Sequence, residues 1–235
     1  MVMRRSLRTQ FIASLGLASL VSVGFFVFGA WYYHSRTYDY FIWNLFLAWL
    51  PLIFASWLAA VLRRKLWSSW EAMGVTFLWL VFLPNSFYMI SDYIHLQEIQ
   101  QANLLLYAAL MFTSFIYIGV LLGFSSLYLV HLELKQRFNS MAAAWWMALT
   151  LLTSSFAVYL GRDLRWNSWD VLTNPGGLLF DVSDRALHPA AYPQMFIVVA
   201  SFFVLLMTMY GLAWRGIQLL RQTPAGVAYR SESRR

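Results

Sequence analysis

Long apolar stretches alternate with short polar segments along this chain. Six of the stretches reach the roughly 20 helical residues that cross a bilayer core about 30 Å thick. They cover residues 11–33, 40–62, 72–93, 102–130, 141–160 and 192–214. The pattern predicts an all-α integral membrane bundle of six transmembrane helices in a single domain, residues 1–222, followed by a basic, disordered cytoplasmic tail at residues 223–235.

The first apolar stretch follows Arg4, Arg5 and Arg8, as the core of a signal peptide does. Its apolar run is longer than the usual 7 to 15 residues of such a core. Phe28-Gly29-Ala30 also lacks the small-x-small pattern of a cleavage site. We therefore expect this stretch to be a retained membrane anchor.

The charged residues divide by predicted membrane side. Of the 17 lysines and arginines, only Arg36, Arg162, Arg165 and Arg185 fall on the side opposite the two termini. Cytoplasmic segments carry an excess of lysine and arginine, so both termini are predicted to be cytoplasmic. Most acidic residues fall on the outer side: Asp39, Asp92, Glu98, Asp163, Asp170, Asp181 and Asp184. Acid chemistry is therefore expected on the outer face.

Composition agrees with a lipid environment. The chain is 60% hydrophobic and 11% charged, against about 25% charged residues in a soluble globular domain. Its net charge of +7 is distributed by membrane side rather than gathered on one surface, so we expect a lipid bilayer and no nucleic acid as partner. The absence of cysteine excludes disulfides, thiolate nucleophiles and cysteine-ligated metals.

The first polar constellation lies at the end of the third stretch. On an α-helix, Asn85, Tyr88, Asp92 and His95 fall within one arc of about 80°. Polar groups at such depth are expected to face the bundle. Asp92 and His95 are the candidate catalytic residues and candidate metal ligands, and Asn85 and Tyr88 are candidate binding residues. Alternatively, Asn85 and Tyr88 only join helices, and the other two are interfacial.

The second constellation follows the fifth stretch. If the helix continues, Asp163, Asn167 and Asp170 share one face, and Arg162 and Arg165 share another. Guanidinium groups bind phosphate and carboxylate with two parallel donors. Arg162 and Arg165 are therefore candidates for binding a phospholipid or lipid-linked head group. Asp163, Asn167 and Asp170 are candidate binding residues on the face that could complement the polar stripe of the third helix. The alternative is an interfacial helix whose charges pair internally.

Other polar residues have structural interpretations. Asp181, Asp184 and His188 would align on a short helix, but Arg185 lies among them, so a solvated connector is favoured over a metal site. His131 is interpreted as an interfacial histidine near the inner side. Ser68-x-x-Glu71 matches a capping box before the third stretch. The sequence contains no phosphate-binding glycine loop and no HExxH pair, and no motif in it identifies a cofactor.

Three polar-aromatic segments occur in order. They are Trp43-Asn44-Leu45-Phe46-Leu47-Ala48-Trp49, the run from Phe82-Leu83-Pro84-Asn85 to Asp92-x-x-His95-Leu96, and Tyr159-Leu160-Gly161-Arg162 followed by Arg165-Trp166-Asn167-Ser168-Trp169-Asp170. Together they resemble the bacterial membrane-protein family called domain of unknown function 1361, over about residues 40–210. Phe87 stands where the family pattern has a second proline, so a milder bend is expected. The resemblance implies a multi-pass protein of the bacterial cytoplasmic (inner) membrane and no agreed activity.

These observations predict an outward-facing polar cavity between the third and fifth helices. The preferred function is a binding or accessory role for a lipid head group, glycan intermediate or membrane partner. The alternative is a membrane-embedded hydrolase or transferase, with or without a metal ion, acting on a lipid-linked or phosphorylated substrate. A small transporter is the third interpretation, and the lack of charges at mid-depth disfavours it.

Overall fold

The computed structural model describes residues 2–34, 37–99 and 102–222, and their regular structure is entirely helical. The long helices are α1 (Val2–Tyr32), α2 (Tyr40–Val61), α3 (Trp70–Tyr88), α4 (Ala102–Lys135) and α5 (Ser140–Asp163). Two short helices, α6 (Asp170–Thr173) and α7 (Pro175–Leu187), precede the long α8 (Pro193–Gln222). A 3₁₀ segment, Met89–Glu98, extends α3, and a 3₁₀ turn, Pro189–Ala191, precedes α8. The predicted tail, residues 223–235, lies outside the described residues.

Six helices in the described part are long and apolar enough to cross a membrane, which confirms the prediction of six spans. They are Thr9–Tyr32, Tyr40–Val61, Trp70–Glu98, Leu104–Lys135, Ser140–Asp163 and Pro193–Arg221. The third and sixth are longer than predicted, because each helical run continues into residues of mixed polarity. The orientation of the termini stays a prediction.

The helix starts use side-chain caps. The Ala72 backbone N–H donates to Ser69 Oγ (3.4 Å), and the Ala142 N–H donates to Asn139 Oδ1 (2.7 Å). Such bonds satisfy backbone donors that have no partner within the helix. The predicted capping box is therefore wrong by one residue, since Ser69 caps α3 and Glu71 pairs with Lys65 at 2.5 Å.

Helices α2 and α3 form an antiparallel hairpin at the centre of the bundle. The Ser86 hydroxyl donates to the Ala48 carbonyl (3.1 Å), and the rings of Phe54 and Phe82 lie 5.6 Å apart. Later residues of α2 thus contact earlier residues of α3, so the two helices run antiparallel. This hairpin brings the start of α2 beside the end of α3.

Helix α4 approaches α3 closely through small residues. A Cβ atom added at Gly123 would lie 2.7 Å from Phe87 Cε1 and 2.9 Å from Ser86 Cβ. One turn earlier, a Cβ at Gly119 would lie 2.8 Å from Met89 Sδ. Glycines four residues apart let the backbone of one membrane helix lie directly against the side chains of another. The α3–α4 contact therefore depends on the absence of side chains at both positions.

The bundle has two distinct ends. At the "connector end", α1, α3 and α5 finish, and residues 164–192 lead from α5 to α8. At the opposite "basic end", short connections join α2 to α3 and α4 to α5. Helices α1 and α8 bury the smallest share of their membrane-spanning windows, 17% each, and pack mainly on α4 and α5 respectively. They form the outer walls.

Candidate functional site

A cavity of about 490 Å³ lies at the connector end, between α2, α3, α5 and residues 164–178. We call it the connector-end cavity. Its wall carries amides, hydroxyls and indole rings, contributed by Trp43, Asn44, Asn85, Tyr88, Trp166, Asn167, Ser168 and Trp169. Apolar residues on the membrane-spanning helices, among them Leu47, Phe77 and Leu80, line the rest. The structure thus has a polar cavity between the third and fifth helices.

Asn85 joins α3 to the connector at the cavity wall. Its Nδ2 donates to Ser168 Oγ (2.8 Å) and to the Phe82 carbonyl (3.0 Å). Within the described part of the chain, no donor reaches the Asn85 side-chain oxygen, so that oxygen remains an acceptor for a ligand. Ser168 was not predicted as a site residue. Nothing in its local sequence distinguishes it from an ordinary loop serine.

The prediction of one α-helical stripe is wrong, because the helix changes type after Tyr88. From Met89 the segment is a 3₁₀ helix with three residues per turn. Asp92 and His95 therefore lie on the same face as Met89. Asn85 and Tyr88 line the cavity, whereas Asp92 and His95 are not among its lining residues. The four residues therefore divide into a cavity pair and a pair turned toward α2.

Asp92 is buried, with only 2% of its surface exposed. Asn44 Nδ2 on α2 donates to Asp92 Oδ2 (3.3 Å), and the charge of Arg162 also acts on this carboxylate. His95 Nδ1 bonds Glu98 Oε1 instead (2.8 Å). Asn44 was missed as a site residue, although an amide inside a long apolar stretch is the signal that would have found it.

Among residues 2–34, 37–99 and 102–222, no group of three or more histidine, aspartate or glutamate side chains is placed to hold a metal ion. Asp92 and His95 are only two such groups, and His95 is engaged by Glu98. Their assignment to catalysis or to a metal stays a prediction.

The second constellation is not helical throughout. Helix α5 ends at Asp163, and Arg165 adopts a left-handed conformation with φ of 59°. The N–H groups of Leu164 and Trp166 both return to the Leu160 carbonyl (3.1 and 3.3 Å), which closes the helix end. The predicted continuous helix through Asp170 is therefore wrong. The reversal folds Trp166 to Trp169 back over the cavity.

The acidic members of this constellation face away from the cavity. Asp163 is exposed, and Asp170 Oδ2 accepts the Asn167 backbone N–H at 2.6 Å, which orders the turn before α6. Neither carboxylate lines the cavity, whereas the exposed Asn167 does. Asp170 thus positions the connector rather than presenting charge to a ligand.

Arg162 lies half-buried beside the cavity wall. Its charge acts on Tyr88 and on Asp92, and that of the exposed Arg165 acts on Tyr88. No carboxylate in the described part of the chain lies within the 4.0 Å that defines an ion pair with either arginine. Both arginines therefore lie near Tyr88 and have no ion-pair partner among the described residues, but neither is among the residues that line the cavity.

The acidic residues of α7 are paired with their neighbours. Trp166 Nε1 donates to Asp181 Oδ2 (2.8 Å), and the Tyr192 hydroxyl donates to Asp184 Oδ2 (2.5 Å). The hydrogen bond from the Tyr192 hydroxyl holds the pKa of Asp184 below its usual range. The contact with His188 Nδ1 at 3.0 Å contributes in the same direction to a smaller extent. Asp181, Asp184 and His188 thus pair with neighbouring side chains within the connector.

The comparison with known proteins gives a family. The family model described as "Protein of unknown function (DUF1361)" matches residues 43–209, well over half of the chain. No curated protein and no solved structure matches the chain. All residues that line the connector-end cavity lie inside the matched region. The family description gives no activity, so function has to be argued from the cavity.

Proposed function

The chain belongs to this family of unknown function, DUF1361, and from that premise we propose that it binds the phosphate-bearing head group of a lipid in the connector-end cavity. The lipid is a phospholipid or a lipid-linked glycan intermediate. In this proposal both termini are cytoplasmic, as the lysine and arginine distribution predicts. The cavity then faces outward from a bacterial cytoplasmic membrane, and the protein acts as a binding or accessory component.

The observation that carries the proposal is Arg162. Its guanidinium is half-buried and interacts with the Tyr88 hydroxyl and the Asp92 carboxylate, but it has no ion-pair partner within 4.0 Å among the described residues, so donors remain for an anion. Its charge acts on Tyr88, which lines the cavity. Guanidinium groups match phosphate oxygens with two parallel donors. A phosphate near Tyr88 would supply the missing partner.

The rest of the wall suits an amphiphile. Amides and hydroxyls such as Asn85, Asn167 and Ser168 bond hydroxyl groups of glycerol or sugar, and Trp43 and Trp169 flank them with rings 6.4 Å apart. No carboxylate is among the lining residues, so an anion meets no like charge there. The apolar remainder lies on membrane-spanning helices, where the lipid tail belongs.

The geometry of the cavity favours binding of a head group over catalysis. A hydrolase or transferase would need Asp92 or His95 at the substrate, and these side chains are hydrogen-bonded within the protein, to Asn44 and Glu98 respectively. Binding without chemistry therefore accounts for more of the geometry than catalysis does.

Photolabelling tests the proposal. A phosphatidylglycerol with a diazirine beside its head group is added to purified protein, and the labelled peptides are identified by mass spectrometry. We expect labels at residues 43–47, 84–88 and 161–169. Arg162→Gln removes a charge-assisted interaction of about 1.5–3 kcal/mol, so labelling there falls at least about tenfold. A diacylglycerol probe without phosphate should label weakly.

Arg64→Gln is the matched control, because Arg64 is an exposed arginine at the other end of the bundle. It should label as the native protein does. Equal labelling of the Arg162→Gln and Arg64→Gln proteins, or no label in the cavity peptides of a folded protein, would overturn the proposed function.

A further inference from the structure

A second cavity, of about 410 Å³, lies toward the basic end between α1, α2, α4 and α8. We call it the basic-end cavity. Its wall is almost entirely apolar and includes Phe11, Leu52, Leu121, Phe124, Ala213 and Ile217. These residues belong to membrane-spanning helices, so hydrocarbon rather than water surrounds this part of the bundle. An apolar cavity in that position is suited to an apolar chain.

Aromatic residues close the cavity toward the basic end. His131 is buried, and its Nδ1 is joined to the Tyr210 hydroxyl by a hydrogen bond of 2.9 Å. Its ring stacks on Trp214 with 3.9 Å between ring centroids. His131, interpreted from the sequence as interfacial, is thus buried within the protein, where it holds two lining aromatics, Tyr210 and Trp214, in place.

Two cations contact aromatic residues that line the basic-end cavity, Tyr128 and Trp214. The Arg221 guanidinium donates to the Tyr128 hydroxyl and lies 5.7 Å from that ring. Lys135 Nζ lies 5.3 Å from the Trp214 ring. No acidic residue lines the cavity, and the nearby Glu133 is paired with Arg137 at 2.8 Å. The polar end of an otherwise apolar cavity thus carries positive charge.

We propose that the basic-end cavity binds one anionic phospholipid, with an acyl chain among α1, α2, α4 and α8 and the phosphate between Lys135 and Arg221. Charge complementarity identifies the occupant, since basic pockets between membrane helices bind anionic head groups. The cavity has a volume of about 410 Å³, and its nearly all-apolar wall suits an acyl chain. The proposal does not rest on the function proposed for the connector end.

The test uses a phosphatidylglycerol with a diazirine near the end of one acyl chain. Bound to purified full-length protein, it should label peptides containing residues 11–12, 121–129 and 210–217. The double variant Lys135→Gln/Arg221→Gln should reduce this labelling at least about tenfold, because each cation near the membrane surface contributes about 1 kcal/mol. Arg63→Gln/Arg64→Gln removes two cations at the same end that do not contact the cavity, and should label normally.

A second variant separates cavity filling from charge. Ala213→Phe keeps both cations and occupies space in the cavity, so labelling should fall while thermal unfolding shows a folded protein. Arg162→Gln should leave this labelling unchanged, which distinguishes failure here from failure at the connector end. Equal labelling of the two double-charge variants, or no cavity label in folded native protein, would overturn the proposal.

Discussion

The two cavities are similar in volume, about 490 and 410 Å³, and both have largely apolar walls, but only the connector-end cavity has a substantial polar part. The connector-end cavity is lined by amides, hydroxyls and indoles where α3 changes to 3₁₀ and α5 ends in a left-handed residue. The basic-end cavity is lined by four uninterrupted helices and is polar only at its end. Within one bundle, polar lining collects where regular helix stops, because the chain there turns back over the helix ends.

The walls of the two cavities include helices that pack on each other. Helix α3 lines the connector-end cavity with Pro84, Asn85 and Tyr88, and α4 lines the basic-end cavity with Leu121 and Phe124. The close α3–α4 contact at Gly119 and Gly123 therefore joins the two walls. Changes in that contact should affect the two cavities together, whereas changes at either end should affect one.

The largest effect should follow Gly123→Val. A side chain there meets Phe87 and Ser86 at less than 3.0 Å, and overpacking of this kind costs up to about 3 kcal/mol. We expect a lower thermal unfolding midpoint and weaker photolabelling at both cavities. Gly211→Val on α8 is the control, since nothing lies within 4 Å of a Cβ there. Equal midpoints for the two variants would show that the close contact at Gly123 does not limit the packing of α3 and α4.

A smaller effect, confined to the connector end, should follow Asn44→Ala. The substitution removes the side-chain donor of the buried Asp92, and an unsatisfied buried group costs about 1–3 kcal/mol. Thermal unfolding should show the loss, and labelling at the basic end should persist. In an Asp92→Asn background the same substitution should cost less, because no carboxylate is left without its donor. An equal cost in both backgrounds would show that Asn44 acts through packing alone.

The smallest effect should come from the pair at the basic end. His131→Phe keeps a ring on Trp214 but removes the hydrogen bond to Tyr210. A double-mutant cycle with Tyr210→Phe should give a coupling of about 0.5–1.5 kcal/mol in thermal or denaturant unfolding. Labelling at the connector end should not change. A coupling near zero would mean that ring packing, not the bond, holds this end of the cavity.

Several features could be predicted from sequence because they follow from chain length and polarity. A span needs about 20 apolar residues, so the six helices were identified, and their polar segments placed Asn85, Tyr88 and Asn167 near one another. The 3₁₀ segment could not be predicted, since α and 3₁₀ turns differ little in local preference. Arg165 carries no local signal for a left-handed conformation, which non-glycine residues rarely adopt.

By itself, then, the sequence determined that the chain is a six-span helical membrane protein of a known family, because hydrophobic length and local motifs are properties of single segments. Only tertiary structure decided which polar groups meet. Asn44 reaches Asp92, Asn85 reaches Ser168, and His131 reaches Tyr210 across distances of 48, 83 and 79 residues. Such partners are selected by helix packing and by the need to satisfy polar groups away from water, and neither is written in any one segment.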